Sequence, residues 1–201
     1  MHRILCFGDS NTYGYPPGGG PRMDAQTRWP CLLGAKLHCQ VLEEGVCGRV
    51  AFYHDAGPQE QTLRAFKRAL VRHAPIDGIV LMLGTNDCRS ACAPDAQAIA
   101  CRIGHFVQCA HQHSPKAKVL LIAPPPVLPC EDAVIGPTTQ RAAALSRALP
   151  SQLFLLAQRE GCLFLDAGRF IAVSPVDGVH LDGASHASLA EAVARVLCAQ
   201  H

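Results

Sequence analysis

Two uninterrupted apolar runs of strand length, each ending in small polar residues, constrain the fold of this chain most. The run Ile4–Phe7 is followed at 8–11 by Gly-Asp-Ser-Asn, and the run Gly78–Leu83 is followed at 84–87 by Gly-Thr-Asn-Asp. Neither run alternates apolar with polar residues, which is the pattern of a strand buried on both faces. Because such strands belong to parallel sheets with helices on both sides, the two runs predict an α/β fold.

The remaining strands and helices are predicted from patterns of the same kind. Further strands are predicted at Gln40–Glu44, Lys118–Ala123 and Cys162–Leu165. Helical spacing predicts helices over 29–37, 59–74, a segment capped by Asp95, 138–149, 151–159 and a segment that begins at Ser185. Pro150 is expected to break or kink the helix around it. The alternation predicts a three-layer α/β/α sandwich, and the 201 residues are expected to form a single domain over 1–201.

The composition argues against several classes of protein. Charged residues make up 17% of the chain and apolar residues 49%, which is typical of a compact globular protein. The formal charge of +2 comes from scattered Lys and Arg residues, so we expect no nucleic-acid partner. The longest apolar run, Val119–Cys130, is short and contains four prolines, so no membrane span is expected. Met1–Arg3 leads into a run that is too short for a signal peptide, so we expect a cytoplasmic protein.

The cysteines and histidines are expected neither to form disulfides nor to bind a metal. The cysteine count, eleven, is odd, and without a secretion signal we expect reduced thiols that act as small core residues. His111 and His113 are two positions apart in a predicted helix, so they face different directions and make a poor pair of ligands. The glycine-rich loop over 13–21 lacks the spacing of a phosphate-binding motif, so no cofactor is expected. This loop is expected to form one wall of a pocket beside Ser10.

Polar residues at the predicted strand ends and in loops can supply the chemistry of acyl transfer. That reaction needs a nucleophile, a base within hydrogen-bond reach, a group that orients the base, and donors for the developing oxyanion. Ser10 is the candidate nucleophile and His180 a candidate base, and Asp177 lies three residues before His180. Gly45 and Gly48 allow a turn whose backbone can approach a ligand closely. Each pattern also occurs in ordinary surface turns, so the hypothesis rests on their combination.

The order of these blocks resembles that of the SGNH (GDSL-like) hydrolase family. The blocks are Gly8-Asp9-Ser10, Gly45 with Gly48, Gly84-Thr85-Asn86-Asp87 and Asp177-Gly178-Val179-His180, and they span nearly the whole chain. Further likeness points to the bacterial arylesterase and acyltransferase branch, at Asn11-Thr12-Tyr13-Gly14, Arg28-Trp29-Pro30, Glu43-Glu44-Gly45, Pro124-Pro125-Pro126 and Asp166-Ala167-Gly168. The resemblance implies the SGNH hydrolase fold, with a five-stranded parallel sheet in flavodoxin-like order.

The resemblance implies a serine esterase that hydrolyses short-chain acyl esters, of the acetyl type, with an aryl or alkyl alcohol part. It assigns Ser10 as the nucleophile, His180 as the base and Asp177 as the partner of His180, with an acyl-enzyme intermediate and acyl transfer as a side activity. The expected partner is a small-molecule ester, with no metal and no cofactor. A carbohydrate O-deacetylase and a catalytically silent small-molecule-binding domain of the same fold remain alternatives, and the oligomeric state, including a homo-oligomer, is left open.

The resemblance also implies an oxyanion hole. It places the backbone amides of Ser10 and Gly48 and the side chain of Asn86 around the oxyanion. Four neighbours are expected to support the site: Asp9, Asn11, Gly45 and Cys47. Cys47 and Val50 depart from the branch, which more often has a small polar residue and a threonine at these positions.

Overall fold

The computed structural model describes residues 2–51, 56–90, 95–131 and 136–199, with the main chain alone for 56–60. Within these residues a five-stranded sheet is formed by β1 (Arg3–Gly8), β2 (Gln40–Gly45), β3 (Gly78–Met82), β4 (Lys118–Ala123) and β5 (Leu163–Asp166). The strands lie in the order β2-β1-β3-β4-β5, and every neighbouring pair is parallel. This is the flavodoxin-like order, so the predicted sheet is confirmed.

The interior strand β1 is buried on both faces because its side chains alternate between two cores. Leu5 and Phe7 belong to one cluster of buried residues, here called the Phe7 core. Ile4 and Cys6 belong to the cluster on the opposite face, here called the Ile4 core. None of these four side chains is more than 1% exposed. Successive side chains of a strand point to opposite faces, so an uninterrupted apolar run is what a strand between two cores requires.

Helices cover both faces of the sheet. They are α1 (Ser10–Tyr13), α2 (Trp29–Leu37), α3 (Ala56–His73), α4 (Thr85–Arg89), α5 (Ala96–His113), α6 (Gly136–Glu160) and α7 (Gly183–Cys198), with a 3₁₀ turn at Ala167–Arg169. Helices α3, α5 and α6 contribute to the Phe7 core, through side chains that include Phe66. Helices α2 and α7 contribute to the Ile4 core, through side chains that include Trp29. The predicted three-layer α/β/α arrangement is therefore confirmed.

Helix α6 runs through Pro150 as one element, so the expected break of the helix at Pro150 is wrong. A proline inside a helix costs about 3 kcal/mol, because it removes one hydrogen bond and crowds the preceding turn. Leu149 and Leu153, on either side of it, are 1% and 0% exposed. Burial of each leucine stabilises the helix by about 1.5–3 kcal/mol, so tertiary packing outweighs the cost of the proline.

Two expectations drawn from composition can be compared with the structure. The ten described cysteines are all free, and the eleventh, Cys92, lies outside the described residues. The expectation that the cysteines are core residues is wrong for several of them, since three are exposed: Cys47, Cys101 and Cys198. In the part of the chain that the structure describes, no helix has the length and apolar character needed to cross a membrane.

Candidate active site

Ser10 lies at the carboxyl end of β1, in the first turn of α1. Asp9 begins this turn, and its carboxylate accepts the N–H of Asn11 at 2.9 Å and so caps the helix. A glycine is needed at position 8, because a Cβ atom on Gly8 would lie 2.8 Å from the Met82 carbonyl oxygen of β3. The sequence Gly-Asp-Ser therefore makes a sharp strand-to-helix transition. It leaves Ser10 5% exposed at the edge of the sheet where parallel α/β folds bind ligands.

His180 lies in the loop before α7 and contacts both Asp177 and Ser10. Its Nδ1 is 2.7 Å from Oδ2 of Asp177, and its Nε2 is 3.1 Å from Oγ of Ser10. An ionised carboxylate only accepts hydrogen bonds, so Nδ1 carries the ring proton and Nε2 can accept the hydroxyl of Ser10. The fold thus brings together the three residues that the sequence analysis assigned as nucleophile, base and partner of the base.

The Asp177 carboxylate accepts hydrogen bonds from the backbone as well as from the His180 ring. Its Oδ1 accepts the N–H groups of Val179 at 3.0 Å and His180 at 2.9 Å, and its Oδ2 accepts the N–H of Gly18 at 3.0 Å. Burial by itself raises the pKa of Asp177, but these hydrogen bonds outweigh burial and hold the pKa below its ordinary value. Asp177 is therefore a fixed negative charge at neutral pH.

Two of the expected supporting residues, Asn11 and Gly45, hold α1 in place. The Asn11 side chain donates to the Val179 carbonyl oxygen at 3.1 Å, which connects α1 to the loop that carries His180. On the other side of α1, a Cβ atom on Gly45 would lie 2.6 Å from the carbonyl carbon of Thr12. Only glycine therefore allows the short helix that begins with Ser10 to pack against the end of β2.

Gly48 and Asn86 face the same cavity as Ser10. Gly48 has a φ of +74°, in the left-handed region that favours glycine, and open space surrounds the position of a Cβ atom. Asn86 lies in the first turn of α4, and its Nδ2 donates to the Arg49 carbonyl oxygen at 3.1 Å. Among the described residues, no acceptor is hydrogen bonded to the backbone N–H of Ser10 or of Gly48. Residues of three different segments thus line one cavity.

Asp9 is a buried acid behind Ser10. Burial raises the pKa of Asp9 to about 6, against the opposing effects of the Asn11 N–H and of the nearby His180. Its Oδ2 accepts a long hydrogen bond of 3.4 Å from Nδ2 of Asn86. The same nitrogen also donates to the Arg49 carbonyl oxygen. The carboxyl group of Asp9 therefore helps to orient the Asn86 amide.

Arg49 is a structural neighbour of the site that the sequence analysis missed. Its guanidinium lies 3.8 Å from the centroid of the Phe7 ring and donates to the carbonyl oxygens of Gly8 and Glu44. Burial lowers the pKa of Arg49 to about 10, although nearby acids oppose the shift. These contacts join the ends of β1 and β2 and brace the turn that carries Gly48. The sequence signals Arg49 only by its place next to Gly48.

A cavity of about 560 Å³ lies above Ser10. It is lined by Ser10, Tyr15, Gly18, Gly19, Cys47, Gly48, Asn86, Arg89, Asp177 and His180. The loop over 13–21 contributes Tyr15, Gly18 and Gly19, so the prediction that it forms one wall of a pocket is confirmed. The Tyr15 ring lies 4.8 Å from the His180 ring, centroid to centroid. Tyr15 and Arg89 were not predicted as site residues, because no local pattern marks them.

Cys47 is exposed at the edge of this cavity. Partial burial raises the pKa of the Cys47 thiol, and the nearby Asp9 carboxylate raises it further. The thiol is therefore protonated at neutral pH, accessible to reagents but not activated. The structure therefore places Cys47 on the surface, against the expectation that the cysteines are core residues.

The described residues contain no cluster of three or more His, Cys, Asp or Glu side chains suited to a metal ion. His111 and His113 lie in the last turn of α5. Within that helix, Nδ1 of His113 is 3.0 Å from the Cys109 carbonyl oxygen.

The class of the protein follows from this fold and from comparison with known families. An α/β/α sandwich with a serine, a histidine and an aspartate at the carboxyl edge of its parallel sheet has the features of an SGNH hydrolase. Residues 6–188 match the model of the GDSL-like Lipase/Acylhydrolase family. The chain belongs to this family, and it is a carboxylic ester hydrolase.

The chain is also similar over its length to bacterial esterases of known structure. The carbohydrate acetylesterase Est24 from Sinorhizobium meliloti is 30% identical, with a TM-score of 0.90 and 100% of both chains covered. The aryl esterase from Mycobacterium smegmatis is 29% identical, with a TM-score of 0.91 and 100% of both chains covered. A GDSL lipase from Mycobacterium tuberculosis is 27% identical over 98% of this chain and 82% of that protein.

Proposed function

We propose that this chain is a serine esterase that hydrolyses short-chain acyl esters through an acyl-enzyme formed on Ser10. The observation that carries the proposal is the continuous hydrogen-bonded series from Ser10 Oγ through His180 to Asp177 at the floor of the cavity. A hydroxyl becomes a nucleophile when a base takes its proton, and an ionised carboxylate stabilises the imidazolium that results. We also propose that residues 1–201 act as one catalytic domain.

In the first half of the reaction, Ser10 Oγ attacks the ester carbonyl and its proton passes to Nε2 of His180. Asp177 keeps the Nδ1 proton in place and balances the charge of the imidazolium. When the tetrahedral intermediate collapses, Nε2 returns the proton to the leaving alkoxide and the alcohol departs. In the second half, water attacks the acyl-enzyme and gives a proton to Nε2 of His180. The bond from the acyl carbon to Ser10 Oγ then breaks, Nε2 returns the proton to Oγ, and the carboxylic acid leaves.

The oxyanion is proposed to be held by the N–H groups of Ser10 and Gly48 and by the Asn86 amide. The two backbone donors support this role because they lack acceptors among the described residues. The Arg49 carbonyl holds the Asn86 amide at 3.1 Å, so the amide is oriented before substrate binds. Donors arranged in advance stabilise the transition state without reorganising during the reaction.

The alcohol part of the substrate is proposed to be an aryl group or a sugar. The aryl esterase of M. smegmatis and the carbohydrate acetylesterase of S. meliloti are similar to this chain to nearly the same degree. O-deacetylation of a carbohydrate is therefore a second candidate function. Acyl transfer to an alcohol is proposed as a side activity, because an alcohol can replace water in attacking the acyl-enzyme. The cytoplasmic location stays a prediction.

The decisive experiment measures hydrolysis of para-nitrophenyl acetate by the wild type, Ser10→Ala and Ser151→Ala. Ser151 is an exposed serine of α6 and serves as the matched control. We expect Ser10→Ala to lower kcat by about 10³-fold or more, as expected when a catalytic nucleophile is removed. Ser151→Ala should match the wild type. Near-normal turnover by a folded Ser10→Ala enzyme would place the nucleophile elsewhere and leave a small-molecule-binding role for Ser10.

A further inference from the structure

The cavity above Ser10 contains a cation that the proposed reaction does not use. Arg89 is the last residue of α4, three positions after Asn86, and its half-buried side chain lines the same cavity as Ser10 and His180. Residues three apart on a helix are neighbours on its surface. A guanidinium therefore lies beside the proposed oxyanion hole, close enough to contact a bound ester.

Most of the hydrogen-bonding capacity of Arg89 is unused by the described residues. Its Nε donates to the Thr138 hydroxyl at 3.2 Å, and one terminal nitrogen lies 3.5 Å from Oδ1 of Asn86. A guanidinium has five N–H donors, so these two contacts leave several donors for a ligand. Among the salt bridges of the described residues, none involves Arg89.

The desolvation of Arg89 supports the same conclusion. Burial lowers the pKa of Arg89, and the charges of Asp177 and Asp9 act in the opposite direction without reaching salt-bridge distance. A partly desolvated cation without a close carboxylate interacts strongly with an anion that enters the cavity. Arginine remains charged at neutral pH even when such a shift is present.

The other charges around the cavity are already committed to partners. The Asp177 carboxylate accepts hydrogen bonds from three backbone N–H groups and from the His180 ring. Its oxygens are therefore occupied by donors of the protein. Arg49 is held by two carbonyl oxygens and the Phe7 ring. Among the described residues, Arg89 is thus the cation of this cavity that has N–H donors without a hydrogen-bond acceptor.

We propose that Arg89 selects esters that carry a carboxylate group, by pairing with that carboxylate while Ser10 attacks the ester carbonyl. The planar guanidinium matches a carboxylate through two parallel N–H···O bonds, which a neutral acyl or alcohol group cannot form. The inference rests on the proposed esterase function and refines its substrate class. The carboxylate can belong to the acyl part or to the alcohol part of the ester, and the experiment distinguishes these two sources.

The test compares two matched pairs of esters. For the acyl part, the pair is the para-nitrophenyl monoester of succinic acid and para-nitrophenyl butyrate. For the alcohol part, the pair is para-acetoxybenzoate and its methyl ester. The wild type, Arg89→Met, Arg89→Lys and Arg147→Met are compared by the ratio of kcat/KM for the charged ester to kcat/KM for the neutral ester. Arg147 is an exposed arginine outside the cavity, so its variant controls for the loss of one positive charge.

We expect Arg89→Met to lower this ratio by about tenfold to a hundredfold for one pair, the size of a lost charge-assisted hydrogen bond. The change should lie mainly in KM, because the carboxylate is bound alike in the ground state and in the transition state. Arg89→Lys should lower this ratio less than Arg89→Met does, since lysine keeps the charge but lacks the planar pair of donors. Arg147→Met should give the wild-type ratio.

An unchanged ratio in Arg89→Met for both pairs overturns the inference while Ser10-dependent hydrolysis of the neutral esters still stands. Hydrolysis that survives in Ser10→Ala overturns the proposed function itself. If Arg89→Met does not fold, inhibition of the wild type decides the question. Succinamate should then inhibit more strongly than the uncharged butyramide, or para-hydroxybenzoate more strongly than its methyl ester, and equal inhibition within both pairs overturns the inference.

Discussion

The side-chain oxygen of Asn11 accepts the backbone N–H of Leu181 at 3.0 Å. The same amide donates to the Val179 carbonyl oxygen at 3.1 Å. One side chain, directly after Ser10, therefore holds both neighbours of His180, although the two segments are 170 positions apart in sequence. The residue that holds this loop beside Ser10 Oγ, 3.1 Å from His180 Nε2, thus takes no part in the proposed proton transfer.

We predict that Asn11→Ala impairs both stability and turnover. The change leaves the Leu181 N–H and the Val179 carbonyl oxygen without their buried partner, and each such group costs about 1–3 kcal/mol. The loop that carries His180 should shift, so kcat should fall more than KM rises. Urea unfolding and steady-state kinetics with para-nitrophenyl acetate measure the two effects. Wild-type kcat in a destabilised variant would show that Asn11 does not position His180.

Asn86→Ala should lower kcat by about 10²–10³-fold with little change in KM, the effect of removing one oxyanion donor. The reason is that the amide contacts the oxyanion far more strongly than the ester carbonyl of the bound substrate. The bond from Asn86 to the Arg49 carbonyl provides an alternative, a purely structural role in the turn after β3. Thermal unfolding separates the two explanations. A variant that melts far below the wild type and regains full turnover when stabilised would exclude Asn86 from the oxyanion hole.

His186 should make the protein less stable in acid. The ring is 0% exposed, Nδ1 accepts the Trp29 N–H at 3.2 Å, and Nε2 has no partner among the described residues. Burial lowers the pKa of His186 to about 4, below its ordinary value of 6.5. Between these values the unfolded chain binds a proton that the folded chain does not, so stability falls as the pH falls through this range.

The experiment compares the free energy of unfolding of the wild type and His186→Gln between pH 7 and 4. The difference between them should change by up to about 1.4 kcal/mol per pH unit, with the wild type losing more stability in acid. The comparison with a variant is needed because the titration of Asp9 changes the stability in the direction opposite to that of His186. Burial raises the pKa of Asp9 to about 6, so its contribution favours the folded state as the pH falls. Asp9 is present in both proteins and cancels. Parallel curves would show that His186 does not titrate in this range.

A bulky maleimide on Cys47 should slow turnover, because the thiol is exposed at the cavity that Gly48 also lines. Labelling should be slow at neutral pH and faster in base, since partial burial and Asp9 raise the pKa of Cys47. Cys47→Ser is the matched control, because it keeps the exposed Cys101 and Cys198. Mass spectrometry and residual activity are followed together. Equal loss of activity in both proteins would locate the effect at another cysteine.

Much of the fold was predictable from the sequence because its signals are local. The apolar residues 4–7 and 78–83 predict doubly buried strands, and β1 and β3 are interior strands of the sheet. The short helices α1 and α4 were missed, because four or five residues are too few for a periodic pattern. The uninterrupted course of α6 through Pro150 was also missed, since it depends on leucines buried against the rest of the fold.

The sequence by itself determined where polar residues follow buried strands, and therefore that Ser10 and Asn86 would lie at the same edge of a parallel sheet. Only the tertiary structure decided which side chains from distant segments meet there. The Arg49 guanidinium over Phe7, the Tyr15 ring beside His180 and Arg89 in the cavity wall have no local signature. Their positions follow from how loops and short helices pack across the sheet edge, and a contact between remote residues is a property of that packing rather than of any segment alone.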